Sequence, residues 1–334
     1  MPCHLWETLK TKGLPIEAGF RFAIPSSRVD GVPVLPGARA SRILIPSRAM
    51  MDTQTLTTIR IAHSPDSDDA FMFYALTQGV LDVEGLEIRH VLQDIESLNQ
   101  AAFQGTYEIT ALSFHGYAHL ADRYQLMPSG ASFGDGYGPV VVSRRPLGRS
   151  DLPGLKIAIP GELTTAHLAL RLWQPDVTTE IVPFDKILDV VESGEMDAGV
   201  VIHEGQLTYG DLGLRKVVDL GEWWKGETGL PLPLGGNGIK RDLDPDLKRR
   251  LCRLLTESIN YGLDHRQEAL GYATRYARGL EDDPERSDRF VGMYVNDWTR
   301  DYGETGRRAV QLLLDRGFEA GVLKERVVAE FVEG

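Results

Sequence analysis

The sequence is short of cysteine, of positive charge and of long apolar runs, and each shortage removes a class of protein. Two cysteines, Cys3 and Cys252, among 334 residues cannot build a disulfide framework, and a reducing compartment is the simpler setting. Cys252 falls in an amphipathic helical pattern and reads as a small core residue. Lysine and arginine total 36 against 48 acidic residues, a net charge of -12. That balance argues against a nucleic-acid partner and against an anionic membrane. No apolar run is long enough to span a bilayer. The apolar fragments near the N-terminus are cut by prolines too early for an export signal, so the expected location is cytoplasmic. With 42% hydrophobic and 25% charged residues, the chain has material for two lobes with real cores.

Residues 1–50 differ from the rest. They hold seven basic and three acidic residues and six of the 18 prolines, and neither a helical nor a strand period persists. Met50 and Met51 immediately precede the first regular pattern. Residues 1–55 therefore read as a disordered extension or an upstream mis-start.

From residue 56 the chain alternates. Strands are expected at 56–63, 86–91 and 107–112, with helices at 70–76, 95–103 and 113–120. Ser64, Asp66, Asp68 and Asp69 stand before the first helix as capping residues, since their side-chain oxygens can satisfy unpaired backbone donors. The pattern restarts with an apolar strand at 137–143, followed by strands at 155–159, 178–182 and 197–202 and helices at 164–173 and 184–192. The chain returns through 217–220 and the Pro231 to Gly236 stretch, and from 244 to 319 it is almost wholly helical. This order predicts an α/β fold of two lobes, 56–145 plus 236–330 and 146–235, with a ligand cleft between them and a helical C-terminal tail on the first lobe.

In such sheets ligands sit beyond the carboxyl ends of the strands. The 197–202 strand ends at His203 and Glu204. A neutral imidazole, with an ordinary pKa near ~6.5, suits proton abstraction at neutral pH. A histidine that merely hydrogen-bonds at a strand end is the alternative, and Glu204 could orient it or simply be solvated or cap a helix. Thr164 and Thr165 open a helix after Pro160-Gly161, where hydroxyls and free N–H groups suit a carboxylate or form a plain cap. Ser113 has the same two readings and lacks the surroundings of a nucleophile. His115 and His119, four apart, lack a convincing third ligand for zinc. The aspartates at 66–69 lack the calcium-loop pattern. Trp223 and Trp224, read as neighbours on a strand, would point to opposite faces, so at most one would reach the cleft.

Several ordered motifs carry a resemblance. Ser64-Pro65 before Asp69-x-Phe71-x-Phe73-Tyr74-Ala75-Leu76, Asp94-Ile95-Glu96-Ser97-Leu98-Asn99, Leu112-Ser113 and Gly138-Pro139-Val140-Val141-Val142 lie in the first half. Ile159-Pro160-Gly161 with Thr164-Thr165-Ala166, Ile202-His203-Glu204, and the Val218 to Gly235 motifs lie in the second. Over residues 57–316 the chain resembles the menaquinone-biosynthesis MqnA/MqnD family, closest to its 1,4-dihydroxy-6-naphthoate synthase branch. The resemblance implies a type 2 periplasmic-binding-protein fold used as a cytoplasmic carbon-carbon lyase without metal or organic cofactor. It implies conversion of cyclic dehypoxanthine futalosine, a small-molecule carboxylate, to 1,4-dihydroxy-6-naphthoate in the futalosine route. It implies His203 as the base, and substrate contacts at Ala111, Leu112, Ser113, Thr164 and Thr165. Two departures stand out: Asp66-Ser67-Asp68-Asp69 replaces the usual Cys-Pro-Asn-Asp, and Ala111 replaces a lysine. Losing a cation and gaining carboxylates opposes an anionic ligand and leaves a divergent substrate open. A non-catalytic solute-binding protein and the chorismate dehydratase branch are the competing readings.

Overall fold

Alternating Thr, Ile and Arg give strand β1 (Thr57–His63) a sheet-forming pattern, and its second half is buried. It pairs in parallel with β2 (Leu86–Leu92) on one side and β3 (Ile109–Ser113) on the other. These belong to a computed structural model that describes residues 56–277, 279, 280 and 282–333. The expectation for residues 1–55 lies outside the described residues. β4 (Tyr124–Leu126) and β5 (Ser132–Gly134) follow, and then the chain crosses to a second sheet. That sheet holds β6 (Val140–Ser143), β7 (Lys156–Ile159), β8 (Thr178–Ile181), β9 (Ala198–Val201) and β10 (Arg215–Asp219). β11 (Leu232–Lys240) returns to the first sheet.

The first sheet has the order β2-β1-β3-β11-β4, with β5 also on β11; the second has the order β10-β6-β9-β7-β8. β3, β6 and β9 are buried along their whole length, whereas the edge strands β2 and β8 are largely half-exposed, as flanked and edge positions require. Residues 140–143 thus lie in the second sheet and 232–235 in the first, although the sequence pattern put the crossings after 145 and 235. β11 is a central strand despite Pro233 and three glycines. Its glycines allow close approach: a Cβ on Gly238 would lie 2.6 Å from Leu112 Cδ1.

The capping expectation before the first helix fails in detail. Helix Ser67–Met72 starts after Asp66, whose side chain makes no cap bond. Instead the Asp69 carboxylate reaches back to accept from Ser64 N at 2.6 Å. Asp244 caps helix Pro245–Asp264, which packs with helix Arg266–Ala273 on the first lobe's Ser67–Met72 and Tyr74–Thr77 helices. Helix Gly303–Glu319 lies against β11. Cys252 is buried in the first of these helices. Trp223 and Trp224 are not on a strand. They sit in helix Leu220–Thr228, where Trp224 is fully buried and donates to Pro231 O at 3.1 Å. Among the described residues, no helix is long and apolar enough to cross a membrane.

Candidate active site

The carboxyl ends of β1 and β3 in the first lobe face those of β7 and β9 in the second, and a cleft of about 130 Å³ lies between them. Ser64, Asp66, Asp68 and Asp69 line it after β1; Ala111, Leu112 and Ser113 end β3 on it. Thr164, Thr165 and Ala166 line it from the helix after β7, and Ile202 and Gln206 flank the turn after β9. Asn237 of β11 and Tyr294 complete the polar wall.

All five expected substrate contacts therefore meet in one cleft; His203 does not join them. Its Nε2 donates to Phe184 O at 3.0 Å, its Nδ1 accepts from Gly205 N at 3.0 Å, and its ring stands edge-on to Phe184. Both nitrogens are thus committed to the second lobe's own backbone. The local cause is the glycine: a Cβ on Gly205 would come 2.8 Å from His203 Cε1, so only glycine lets the imidazole fold back.

Glu204 is not solvated, and although it precedes helix Gly205–Thr208 its side chain makes no cap bond. It is fully buried, and its Oε1 accepts from Ser67 Oγ at 2.7 Å, across the two lobes. Its Oε2 has no hydrogen-bond partner among the described residues. Burial, helped by the charges of Asp66 and Asp68, pushes its carboxyl up to about 8, so it is protonated at neutral pH. Burial also pushes Asp69 up to about 7, with Asp66 adding to the shift and the Ser64 N–H opposing it. Asp68 is raised well above the usual range by burial and by Asp69 and Asp66. The acidic wall is thus partly discharged by its own burial. Among the described residues no lysine or arginine lines the cleft.

The hydroxyl wall is built from side chains that are already held. Thr164 caps helix Thr165–Trp173, its Oγ1 accepting from His167 N at 3.2 Å. Thr165 Oγ1 accepts from His115 N at 3.3 Å, and His115 Nδ1 donates to Thr164 O at 3.3 Å. First-turn N–H groups have no intrahelical acceptor, so this helix start offers donors to an anion at the cleft. Ser113 makes no cap bond of its own; its N donates to Asn99 Oδ1 at 3.0 Å and its Oγ accepts from Asn99 Nδ2 at 3.2 Å. His115 and His119 lie side by side, but among the described residues no three His, Cys, Asp or Glu are placed to hold a metal.

Residue-type reasoning missed Asn237, Gln206 and Tyr294. Tyr294 OH donates to Gln206 Oε1 at 2.6 Å, joining the helical tail to the second lobe at the cleft. Asn237 lies between glycines of β11, and its Oδ1 is buried without a partner among the described residues.

Comparison with known proteins gives a consistent picture. A family model described as menaquinone biosynthesis matches residues 59–319. A 1,4-dihydroxy-6-naphtoate synthase of Thermus thermophilus is 42% identical over 77% of this chain and 93% of that protein. One of Streptomyces coelicolor is 36% identical over 80% and 95%. A crystal structure of a protein from Archaeoglobus fulgidus shares 48% identity, with a TM-score of 0.76 over 79% of this chain and 98% of that one. The alkanesulfonate-binding protein SsuA of Xanthomonas axonopodis, 14% identical, has a TM-score of 0.61 over 82% and 96%, which places this chain among periplasmic-binding-protein-like folds.

Proposed function

This chain belongs to the menaquinone-biosynthesis family, and from that premise we propose that it is a carbon-carbon lyase acting as 1,4-dihydroxy-6-naphthoate synthase. Its substrate in this reading is cyclic dehypoxanthine futalosine, processed in the cytoplasm. The observation that carries the reading is the meeting of Ser113, Thr164 and Thr165 in the interlobe cleft of a chain 42% identical to a protein of that name. The substrate carboxylate binds at the Thr164–Thr165 helix start, where hydroxyls and backbone N–H groups converge. The two lobes then exclude water from the reacting ring.

Breaking a carbon-carbon bond and aromatising a ring requires a base. His203 fills that role once its side chain rotates away from Phe184 and Gly205 N, swinging from between the cleft-lining Ile202 and Gln206. A specific observation favours a second base: Asp69 already lines the cleft, and its carboxyl, held up at about 7, accepts a proton near neutral pH.

Turnover of cyclic dehypoxanthine futalosine, followed by product mass, tests this with wild type, His203→Ala and Asp69→Asn side by side. Wild type forms 1,4-dihydroxy-6-naphthoate, and loss of the base lowers the rate by about 100-fold or more. The variant that collapses identifies the base. Binding without conversion supports a solute-binding role instead, and dehydration of chorismate supports the other branch.

A further inference from the structure

Helix Ile95–Ala102 of the first lobe carries two polar side chains one turn apart, Glu96 and Asn99, that both reach a single residue of the second lobe. Glu96 Oε2 accepts from Leu163 N at 3.1 Å, and Asn99 Nδ2 donates to Leu163 O at 3.5 Å. Residues three apart share a helix face, so one face takes both backbone groups of Leu163. Leu163 immediately precedes the Thr164–Thr165 helix start. The same Asn99 amide holds both the N–H and the hydroxyl of Ser113. Asn99 is 0% exposed and does not line the cleft. Two glycines make room for the clasp. A Cβ on Gly116 would lie 2.6 Å from Asn99 Oδ1, and one on Gly161 would collide with the Glu96 carboxylate.

We propose that Glu96 and Asn99 are positioning residues that lock the 161–165 loop of the second lobe against Ser113 of the first, so that the two hydroxyl-bearing walls of the cleft stand in fixed register. This deepens the synthase reading and rests on it for the kinetic consequence alone. Neither residue touches the substrate; both act through Leu163 and Ser113. Without the clasp the loop must be ordered by the substrate, so the loss falls on apparent binding more than on the chemical step.

The full-length protein without substrate, followed by amide hydrogen exchange over 161–166, tests the clasp directly. Glu96→Ala speeds exchange of the Leu163 amide by about tenfold, as expected for a lost hydrogen bond to a charged acceptor. Glu96→Gln, which keeps an acceptor oxygen, restores most of the protection. Asn99→Asp, which keeps the Ser113 N–H acceptor but loses the donors to Leu163 O and Ser113 Oγ, loosens the same peptide. In turnover assays Glu96→Ala lowers kcat/KM by about tenfold, mainly through KM, and Glu96→Gln recovers it. Unchanged exchange in both Glu96→Ala and Asn99→Asp overturns the proposal, as does altered exchange with unchanged KM in an active enzyme. If wild type does not convert the compound, the synthase reading fails while the exchange arm still decides the clasp. Glu96 is only half-buried, so its variants retain the fold needed for the measurement.

Discussion

In the first sheet β2, β1 and β3 run parallel, with β11 antiparallel beside β3; in the second, β8, β7 and β9 run parallel, with β6 antiparallel beside β9. The same arrangement therefore occurs twice, and each time the antiparallel strand comes from the chain crossing between lobes. The strand ends differ in chemistry. After β1 come Asp66, Asp68 and Asp69; after β7, at the matching position, come Thr164 and Thr165. At the end of β3 stands Ser113, gripped by a side chain; after β9 stands His203, gripped by the backbone of its own lobe. A repeated topology fixes where the walls meet, and the short turns decide what each wall can bind.

The largest effect should come from the crossing that both lobes share. Gly221 of the second lobe packs on the Tyr137–Gly138 peptide, and an added Cβ there would collide with Tyr137 O. A Cβ on Gly134 of the first lobe would collide with the same oxygen. Gly221→Ala and Gly134→Ala should each cost more than about 4 kcal/mol, seen as loss of folded protein or a collapsed Tm, because the obstacle is backbone. A mild melt for either one would show that the lobes do not pin this peptide equally.

Next comes the hydroxyl wall. Thr165→Val keeps the shape and removes the hydroxyl, and should lower kcat/KM by about tenfold. The same loss from Asp68→Asn would erase the contrast between the acidic and hydroxyl walls.

The acidic side should reveal itself through pH. Burial raises Glu204 from its ordinary 4.5 to about 8 and Asp69 from 3.8 to about 7. The folded protein then holds protons that the unfolded chain releases, so stability falls as pH rises from about 4 to about 8. Glu204→Gln should flatten that slope and stabilise the protein relative to wild type at pH 9 but not at pH 4, as urea unfolding at the two values would measure. A parallel pH dependence in the variant would remove Glu204 from the account.

The smallest effects belong to the outer edges. Arg89–Glu87 on β2 and Lys156–Glu180 between β7 and β8 are exposed pairs. Arg89→Ala and Lys156→Ala should each change stability by less than about 1 kcal/mol, with salt reducing even that. A larger loss at one edge would mean that edge is covered in a way the other is not.

Much of this was legible along the chain because it depends on neighbours in sequence. The β-branched runs that became β6 and β9 and the start of the helical tail at Asp244 follow from local periodicity and side-chain type. Ala111, Leu112, Ser113, Thr164 and Thr165, which the family resemblance implies as substrate contacts, line one cleft. In the sequence the Pro231 to Gly236 stretch marks only the chain's return between lobes; the packing of Leu112 against Gly238 and of Tyr302 against Gly236 makes the glycines of the central strand β11 necessary. The short strands β4 and β5 exist through pairing with β11 and left no period of their own. Trp223 and Trp224 were read as a strand, yet Asp219 caps a helix there by accepting from Gly221 N and Glu222 N.

The sequence by itself determined the alternation of strands and helices, the two-lobed class and the residues that end each strand, since these depend on side-chain type and spacing within a few positions. Only the tertiary structure decided where those residues point. It turned His203 toward Phe184, buried Glu204 against Ser67 of the opposite lobe, and brought Glu96 and Asn99 onto Leu163, more than sixty positions away. Such contacts depend on which elements pack together, and a desolvated carboxyl or a bridging amide is defined by neighbours that the linear order does not place beside it.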